Sequence, residues 1–230
     1  MAGMTFLQLV QQLRQECGVP GTGPATCQGQ TGEMRRLVDW VAQSYQELQE
    51  RHEDWSWLLA DFTFQTTAQK QTYTPAEAGV TDLGVWDRAS FRAYTTANNF
   101  ADEQLIIPVE YPVFRNQYQY GNMRFTYARP MSFAIEPGTK NLLLGPIPDS
   151  TGWTVLGKYY RAPMVLVNDT DIPAMPPRFH MIIVYSAMIK YGYFEAAGEV
   201  LTRGQAEYNR MLAALEIDQI QGFGFGAPLA

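Results

Sequence analysis

Residues able to do chemistry are few in this chain, and their spacing is unhelpful to catalysis. His52 and His180 are the only histidines, and neither lies in a His-Glu-x-x-His or Cys-x-x-Cys pattern that would hold a metal. His180 reads as a structural residue near a helix start, and His52 as a solvated residue near a helix end. Cys17 and Cys27 flank a Gly/Pro-rich loop, and two thiols make no disulfide framework. As nucleophiles they would need a positioned histidine, and nothing in the order of residues supplies one. Carboxylate pairs occur at Glu53/Asp54, Asp102/Glu103 and Asp169/Asp171. A glycosidase needs two such groups held a fixed distance apart across a cleft, and any acidic chain offers pairs by chance. Asp169 and Asp171 read as a turn ahead of Ile172-Pro173. The loop Gly18-Val19-Pro20-Gly21-Thr22-Gly23-Pro24 follows a helix, and no Gly-Lys-Ser/Thr comes after it, so it reads as a connector and not a phosphate loop. No Gly-x-Ser-x-Gly elbow is present. The expectation is no catalytic residue, no metal ligand and no cofactor.

The elements that would position any site divide into helical ends and a strand-rich middle. Thr5 can cap a first helix whose stripe is Phe6, Leu9, Val10 and Leu13. Gly18 ends it. Thr31 can cap a longer helix with Glu33 in its first turn and Met34, Leu37, Val41, Tyr45 and Leu48 on one face. The run Asp54-Trp55-Ser56-Trp57 marks the change to strand period. Strands are expected at Phe62–Thr66, Thr72–Thr74, Ser90–Thr96, Arg124–Ala128, Met131–Glu136, Leu142–Leu144 and Trp153–Arg161, with a short helix after Pro108. Pro176-Pro177 opens a helix through Ile189, with a break near Gly192, and a last helix runs from Ala196 to Asp218. The predicted fold class is therefore α+β: a helical bundle formed by both termini, residues 1–58 and 175–218, with an inserted antiparallel β-sheet or small β-sandwich at 59–174. Residues 219–230 are expected to be a flexible docking tail. Gly222, Gly224 and Gly226 maximise its backbone freedom, Phe223, Phe225 and Leu229 are apolar anchors, and Pro228 blocks a helix.

Composition narrows the function classes. Of the 230 residues, 46% are hydrophobic, enough for a sizeable core. The chain carries 17 Lys and Arg against 23 Asp and Glu, a formal charge of -6, with no basic block, so tight sequence-specific DNA binding is not expected. An acidic protein can still line a DNA channel, where repulsion keeps the polymer from sticking. No signal-peptide pattern opens the chain, and the longest apolar stretch, Met181–Ile189, is too short to span a bilayer, so a soluble chain made in a cytoplasm is expected, with no membrane partner. Aromatic residues make up 13%, and Tyr111, Phe114, Tyr118, Tyr120, Phe125 and Tyr127 interleave with Arg115, Arg124 and Arg129. That pattern fits a nucleic-acid stacking face, a half-buried sheet or a subunit interface. Tyr111, Phe114, Arg115, Tyr118 and Tyr120 are the candidate interface residues.

The order of these features resembles the phage head-to-tail adaptors. It is similar both to those of long-tailed phages and to the tubular A proteins of short-tailed phages. The matching order is helix, Gly/Pro loop, long helix, and the aromatic exit Glu53-Asp54-Trp55-Ser56-Trp57. After the β-rich middle come Met175-Pro176-Pro177-Arg178-Phe179, the aromatic Tyr191-Gly192-Tyr193-Phe194, Glu195-Ala196-Ala197-Gly198-Glu199-Val200 and Glu207-Tyr208-Asn209-Arg210-Met211. The resemblance implies a structural virion protein at the head-tail junction, forming a ring of commonly twelve copies under the portal protein. Such a ring extends the DNA channel, and DNA passes without specific binding. It carries the tail, nozzle or terminator proteins. The terminal segment, with Phe223, Phe225, Pro228 and Leu229, would grip the portal, and the β-rich part would face the tail. The family has no cofactor. A few adaptors of short-tailed phages cleave cell wall, and no site for that is recognisable in this sequence. The competing readings are a peptidoglycan-cleaving tail enzyme and a nucleic-acid-binding module.

Overall fold

The structure is a computed structural model that describes residues 3–219. In chain order the elements are α1 (Phe6–Glu16), α2 (Gly32–Glu50), β1 (Leu59–Gln65), β2 (Thr72–Tyr73), β3 (Leu83–Thr95), β4 (Gln104–Leu105), β5 (Ile107–Pro108), α3 (Tyr111–Phe114), β6 (Ser132–Ile135), β7 (Leu142–Gly145), β8 (Trp153–Arg161), α4 (Met181–Phe194) and α5 (Gly198–Gln219). The fold class is α+β. The chain forms two compact units: described residues up to Leu58 with those from Pro163 onward, and Leu59–Ala162.

The helical unit is organised around α4. Its sequence is apolar on nearly every side, and Ile182, Ile183, Val184, Ala187 and Met188 are all buried, as a helix enclosed by others requires. α1, α2 and α5 pack around it. α1 begins with a capping box, in which the Thr5 hydroxyl accepts the Gln8 N–H (3.3 Å) and the Gln8 side chain accepts the Thr5 N–H (2.9 Å). It ends where Gly18 turns at φ +68°, with Val19 N–H donating to the Arg14 carbonyl and Gly18 N–H to Gln15. Thr31 does stand at the N-cap of α2, but its side chain makes no capping bond. The break or bend expected near Gly192 comes just after it, where α4 ends at Phe194 and Ala196 turns at φ +53° ahead of α5, and Gly192 itself stays helical. Gly192 instead permits contact, because a Cβ there would lie 2.8 to 3.0 Å from Leu201.

Pro163–Met175 has no regular structure and is pinned to α2 by two buried side chains. Gln49 accepts the Met164 N–H and donates to its carbonyl, both at 2.9 Å, imitating a strand partner. The Tyr45 hydroxyl accepts the Ala174 N–H at 2.9 Å. These bonds satisfy backbone groups that an irregular segment would otherwise leave unpaired.

The second unit is a sandwich of two four-stranded sheets, ordered β1-β8-β3-β4 and β2-β7-β6-β5. All pairings are antiparallel except β5–β6. Alternation along β1 turns Phe62 and Phe64 inward and Asp61, Thr63 and Gln65 outward. Between the sheets Phe91 stacks on Phe133 with ring centroids 4.0 Å apart, and Phe62, Trp86, Leu144, Val155 and Tyr159 complete the layer. β3 starts at Leu83, ahead of the expected Ser90, because a bulge interrupts its pairing with β8 between Asp87 and Arg92. Ser90 Oγ fills the gap, donating to the Asp87 carbonyl and accepting the Lys158 N–H. The strand expected at Arg124–Ala128 is a correction. Gly121–Phe125 is a 3-10 turn, and Tyr127 makes one isolated bridge to Ile147. The Phe125/Tyr127 alternation has strand period, but both rings face solvent, so no buried face holds a strand there.

Candidate functional site

The aromatic–arginine region between β5 and β6 leaves the sandwich as an excursion seated on a buried base. Glu110 is the extended residue before α3, Pro112 falls in the first turn, and Phe114 N–H donates to the Glu110 carbonyl at 2.9 Å. A π-helical turn, Arg115–Gln119, follows. It brings Phe114 and Tyr118 to the same side, with ring centroids 4.9 Å apart, packed on Ala134 and Leu143. The Tyr118 hydroxyl lies 3.0 Å from Ser132 Oγ, which also reaches the Gly145 carbonyl, and it accepts from the Gln117 amide at 3.1 Å. Gly145 is required here, since a Cβ would lie 2.7 Å from the Tyr118 ring.

Of the five residues singled out for an interface, Phe114 and Tyr118 thus form the base. Tyr111 and Arg115 are half-buried, and Tyr120 is exposed. The Arg115 guanidinium donates to the Tyr120 hydroxyl at 2.5 Å and lies over the Tyr111 and Tyr120 rings at 5.7 and 5.4 Å. Beyond it the tip Tyr120–Tyr127 turns at Gly121, φ +62°, and exposes Met123, Arg124, Phe125 and Tyr127. Phe125 is 67% exposed. On the return, Arg129 donates to the carbonyls of Ala93 (2.8 Å) and Asp102 (2.6 Å) and lies over the Trp153 ring. Asp102 accepts the Thr95 hydroxyl and N–H, and these bonds hold its carboxyl below the usual range. The spacing of Tyr and Arg marked this region in the sequence. The π-turn that decides which rings turn inward left no signal there.

The helical unit exposes a second aromatic group. Trp40 meets the Tyr191 ring edge-on at 6.1 Å and Phe194 at 5.7 Å, and the Arg36 guanidinium covers Phe194 at 4.5 Å. Tyr193 and Phe194 are 68% and 56% exposed, and exposed Glu195 and Glu199 follow them. The tail residues Phe223, Phe225, Pro228 and Leu229 lie outside the described residues.

Of the titratable groups considered for catalysis, Glu53 and Asp54 are simply exposed, and the others have structural partners. His180 is buried, with Nδ1 accepting the Met4 N–H and Nε2 donating to the Met175 carbonyl, each at 3.0 Å. Burial keeps its pKa below the ordinary value. His52 reaches Glu216 at 3.2 Å and packs edge-on against Trp55. Asp169 accepts the Cys27 N–H at 2.6 Å, and Asp171 accepts the N–H groups of Val167 and Asn168, contacts that lower both carboxyls. The backbone carbonyls of the same two residues accept the N–H groups of Leu7 and Phe6, closing the first turn of α1. Cys17 and Cys27 are free thiols, pushed up to about 12 by burial, so neither is a ready thiolate. Asp61 stands over a shallow depression of about 360 Å³ beside Tyr94 and Phe100 and pairs with Lys158 at 3.2 Å. Among the described residues no group of three or more His, Cys, Asp or Glu could hold a metal ion, and no helix is long and apolar enough to cross a membrane.

The arrangement is thus one of seated, solvent-facing aromatic and charged surfaces. A family model described as SU10 adaptor protein matches residues 4–228. The chain belongs to the SU10 adaptor protein family. It is a structural bacteriophage protein, a head-to-tail adaptor of the virion. Among curated proteins none matches the chain.

Proposed function

We propose that the chain assembles as a ring of twelve copies beneath the portal protein, extends the DNA channel and forms the platform on which tail, nozzle or terminator proteins attach. The observation that carries this reading is the adaptor-family match across residues 4–228, both units included. In it the helical body, residues 1–58 and 175–218, builds the ring, and the β-rich insertion, 59–174, faces the tail. The excursion bearing Tyr111, Phe114, Arg115, Tyr118 and Tyr120 serves a subunit or tail interface, with Phe114 and Tyr118 as its rigid base. Residues 219–230 dock on the portal through Phe223, Phe225, Pro228 and Leu229. The net charge of -6 suits a channel wall that repels DNA. The protein acts without catalysis or cofactor and is made in the host cytoplasm before joining the virion.

Electron micrographs of the purified protein mixed with its portal test this reading. The expected image is an added ring of density, coaxial with the portal. A protein that stays off portals at micromolar concentration overturns it. Lysis of cell wall by the purified protein, abolished by one carboxylate substitution, overturns the non-catalytic part.

A further inference from the structure

Charge is unevenly shared between the two units. Segments 1–58 and 163–230 hold 14 Asp and Glu against 8 Lys and Arg, while 59–162 hold nine of each. The whole surplus of negative charge therefore lies in the helical segments. Within the neutral unit, residues 111–131 contain Arg115, Arg124 and Arg129 and no acidic residue. Arg129 is occupied by Asp102. Arg124 is exposed and has no ion pair among the described residues. Around it stand Tyr120, Met123, Phe125 and Tyr127, all exposed. Tyr, Phe, Met and Arg are the types enriched at the centre of protein interfaces. The buried base of Phe114 and Tyr118 supports this tip, so less ordering cost falls on binding.

The helical unit offers a surface of complementary chemistry. Tyr193 and Phe194 give exposed aromatic area, and Glu199, exposed in the first turn of α5 that follows, has no ion pair among the described residues. We propose that the Tyr120–Tyr127 tip of one copy docks on the helical unit of a neighbouring copy, against Tyr193, Phe194 and Glu199, with Arg124 facing Glu199. The inference rests on the ring reading above and names the surfaces that would join its subunits. Tip and patch are different surfaces, so the contact is head-to-tail, the kind that closes into a ring. A cation facing a carboxylate beside stacked aromatic groups also fixes the register between copies.

The test uses the full chain with the photoreactive p-benzoylphenylalanine in place of Phe125, mixed with portal, illuminated and imaged. The expected product is a cross-linked pair of adaptor copies whose joined peptides come from the tip and from residues 181–219. Cross-links to portal alone, or rings that form with no cross-link between copies, overturn the inference while leaving the ring reading intact. Absence of rings with the wild-type chain overturns both. In parallel, Arg124→Glu should lower ring assembly about tenfold or more at low salt, the scale of one close interfacial charge pair, and Glu199→Arg in the same chain should restore it. Both residues are exposed, so the exchange leaves the fold intact. A double variant no better than Arg124→Glu alone counts against the pairing.

Discussion

Acid should destabilise the helical unit through His180 before the carboxylates held below their usual range lose their contribution. The neutral ring is used at both nitrogens, by Met4 and Met175, and is 1% exposed. Burial is the largest cause holding its pKa below the ordinary 6.5. In the unfolded chain the imidazole takes its proton near pH 6.5, while in the folded chain it does so only at lower pH. Between those points the unfolded state binds the extra proton, so stability is full above about pH 7 and falls as pH drops through 6.5. One proton gives a limiting slope of about 1.4 kcal/mol per pH unit. If His180 stays neutral in the folded chain, the loss by pH 5.5 is about 1.4 kcal/mol. Asp102, Glu136, Asp169, Asp171 and Asp218 are held below their usual range, so their contribution is present above about pH 4.5 and fades only under it. The two windows separate. The assay is urea unfolding followed by helical circular dichroism at pH 7.5, 6.5 and 5.5, for wild type and His180→Asn. The variant should lose about 1–3 kcal/mol at pH 7.5, because buried partners go unpaired, and should lose less stability than wild type between pH 7.5 and 5.5. His52 is common to both proteins, so the difference isolates His180. An unchanged slope in the variant, or a flat profile in wild type, refutes the reasoning.

Tyr45→Phe removes the hydroxyl that accepts the Ala174 N–H, which should cost about 1–3 kcal/mol in chemical unfolding; a change under 0.5 kcal/mol, taken here as roughly the noise for a neutral surface substitution, would show that Pro163–Met175 is held by other means. Gly192→Ala drives a Cβ into Leu201 and should cost about 1–3 kcal/mol, read as a lowered melting temperature. Truncation after Asp218 should weaken portal attachment, and undiminished affinity would rule out the docking tail. Duplex DNA should bind no more tightly than about 10⁻⁶ M at physiological salt, the non-specific range, and a sub-micromolar gel shift would contradict this.

Legibility in the sequence followed the range of the interactions. α1 was readable because its cap, Thr5, and its stripe lie within one short window, although the reciprocal bond from Gln8 was seen only in the structure. β8 was readable end to end because the buried Val155, Gly157 and Tyr159 alternate with the less buried Leu156, Lys158 and Tyr160. Gln49 and Tyr45 were not, since their partners lie 115 and 129 residues away. Gly192 looked like a breaker because its neighbour across the helix pair, Leu201, is fixed only by the turn at Ala196, which takes φ +53°. The aromatic–arginine excursion was found by composition. Its division into base and tip was not, because alternating Phe and Tyr carry the same signal whether or not a sheet receives them. Arg124–Ala128 failed for that reason.

A helical unit assembled from both ends of the chain sets a timetable for synthesis. All contacts within Leu59–Ala162 become available once Ala162 has left the ribosome, whereas α1 and α2 emerge with no α4 to cover them. Phe6, Leu9, Leu37, Val41 and Leu48, all buried in the finished molecule, must wait through more than a hundred residues of translation. At about 5–20 residues per second that wait lasts on the order of ten seconds. During it the apolar stripes of α1 and α2 have only each other to pack against, a contact they keep in the finished molecule.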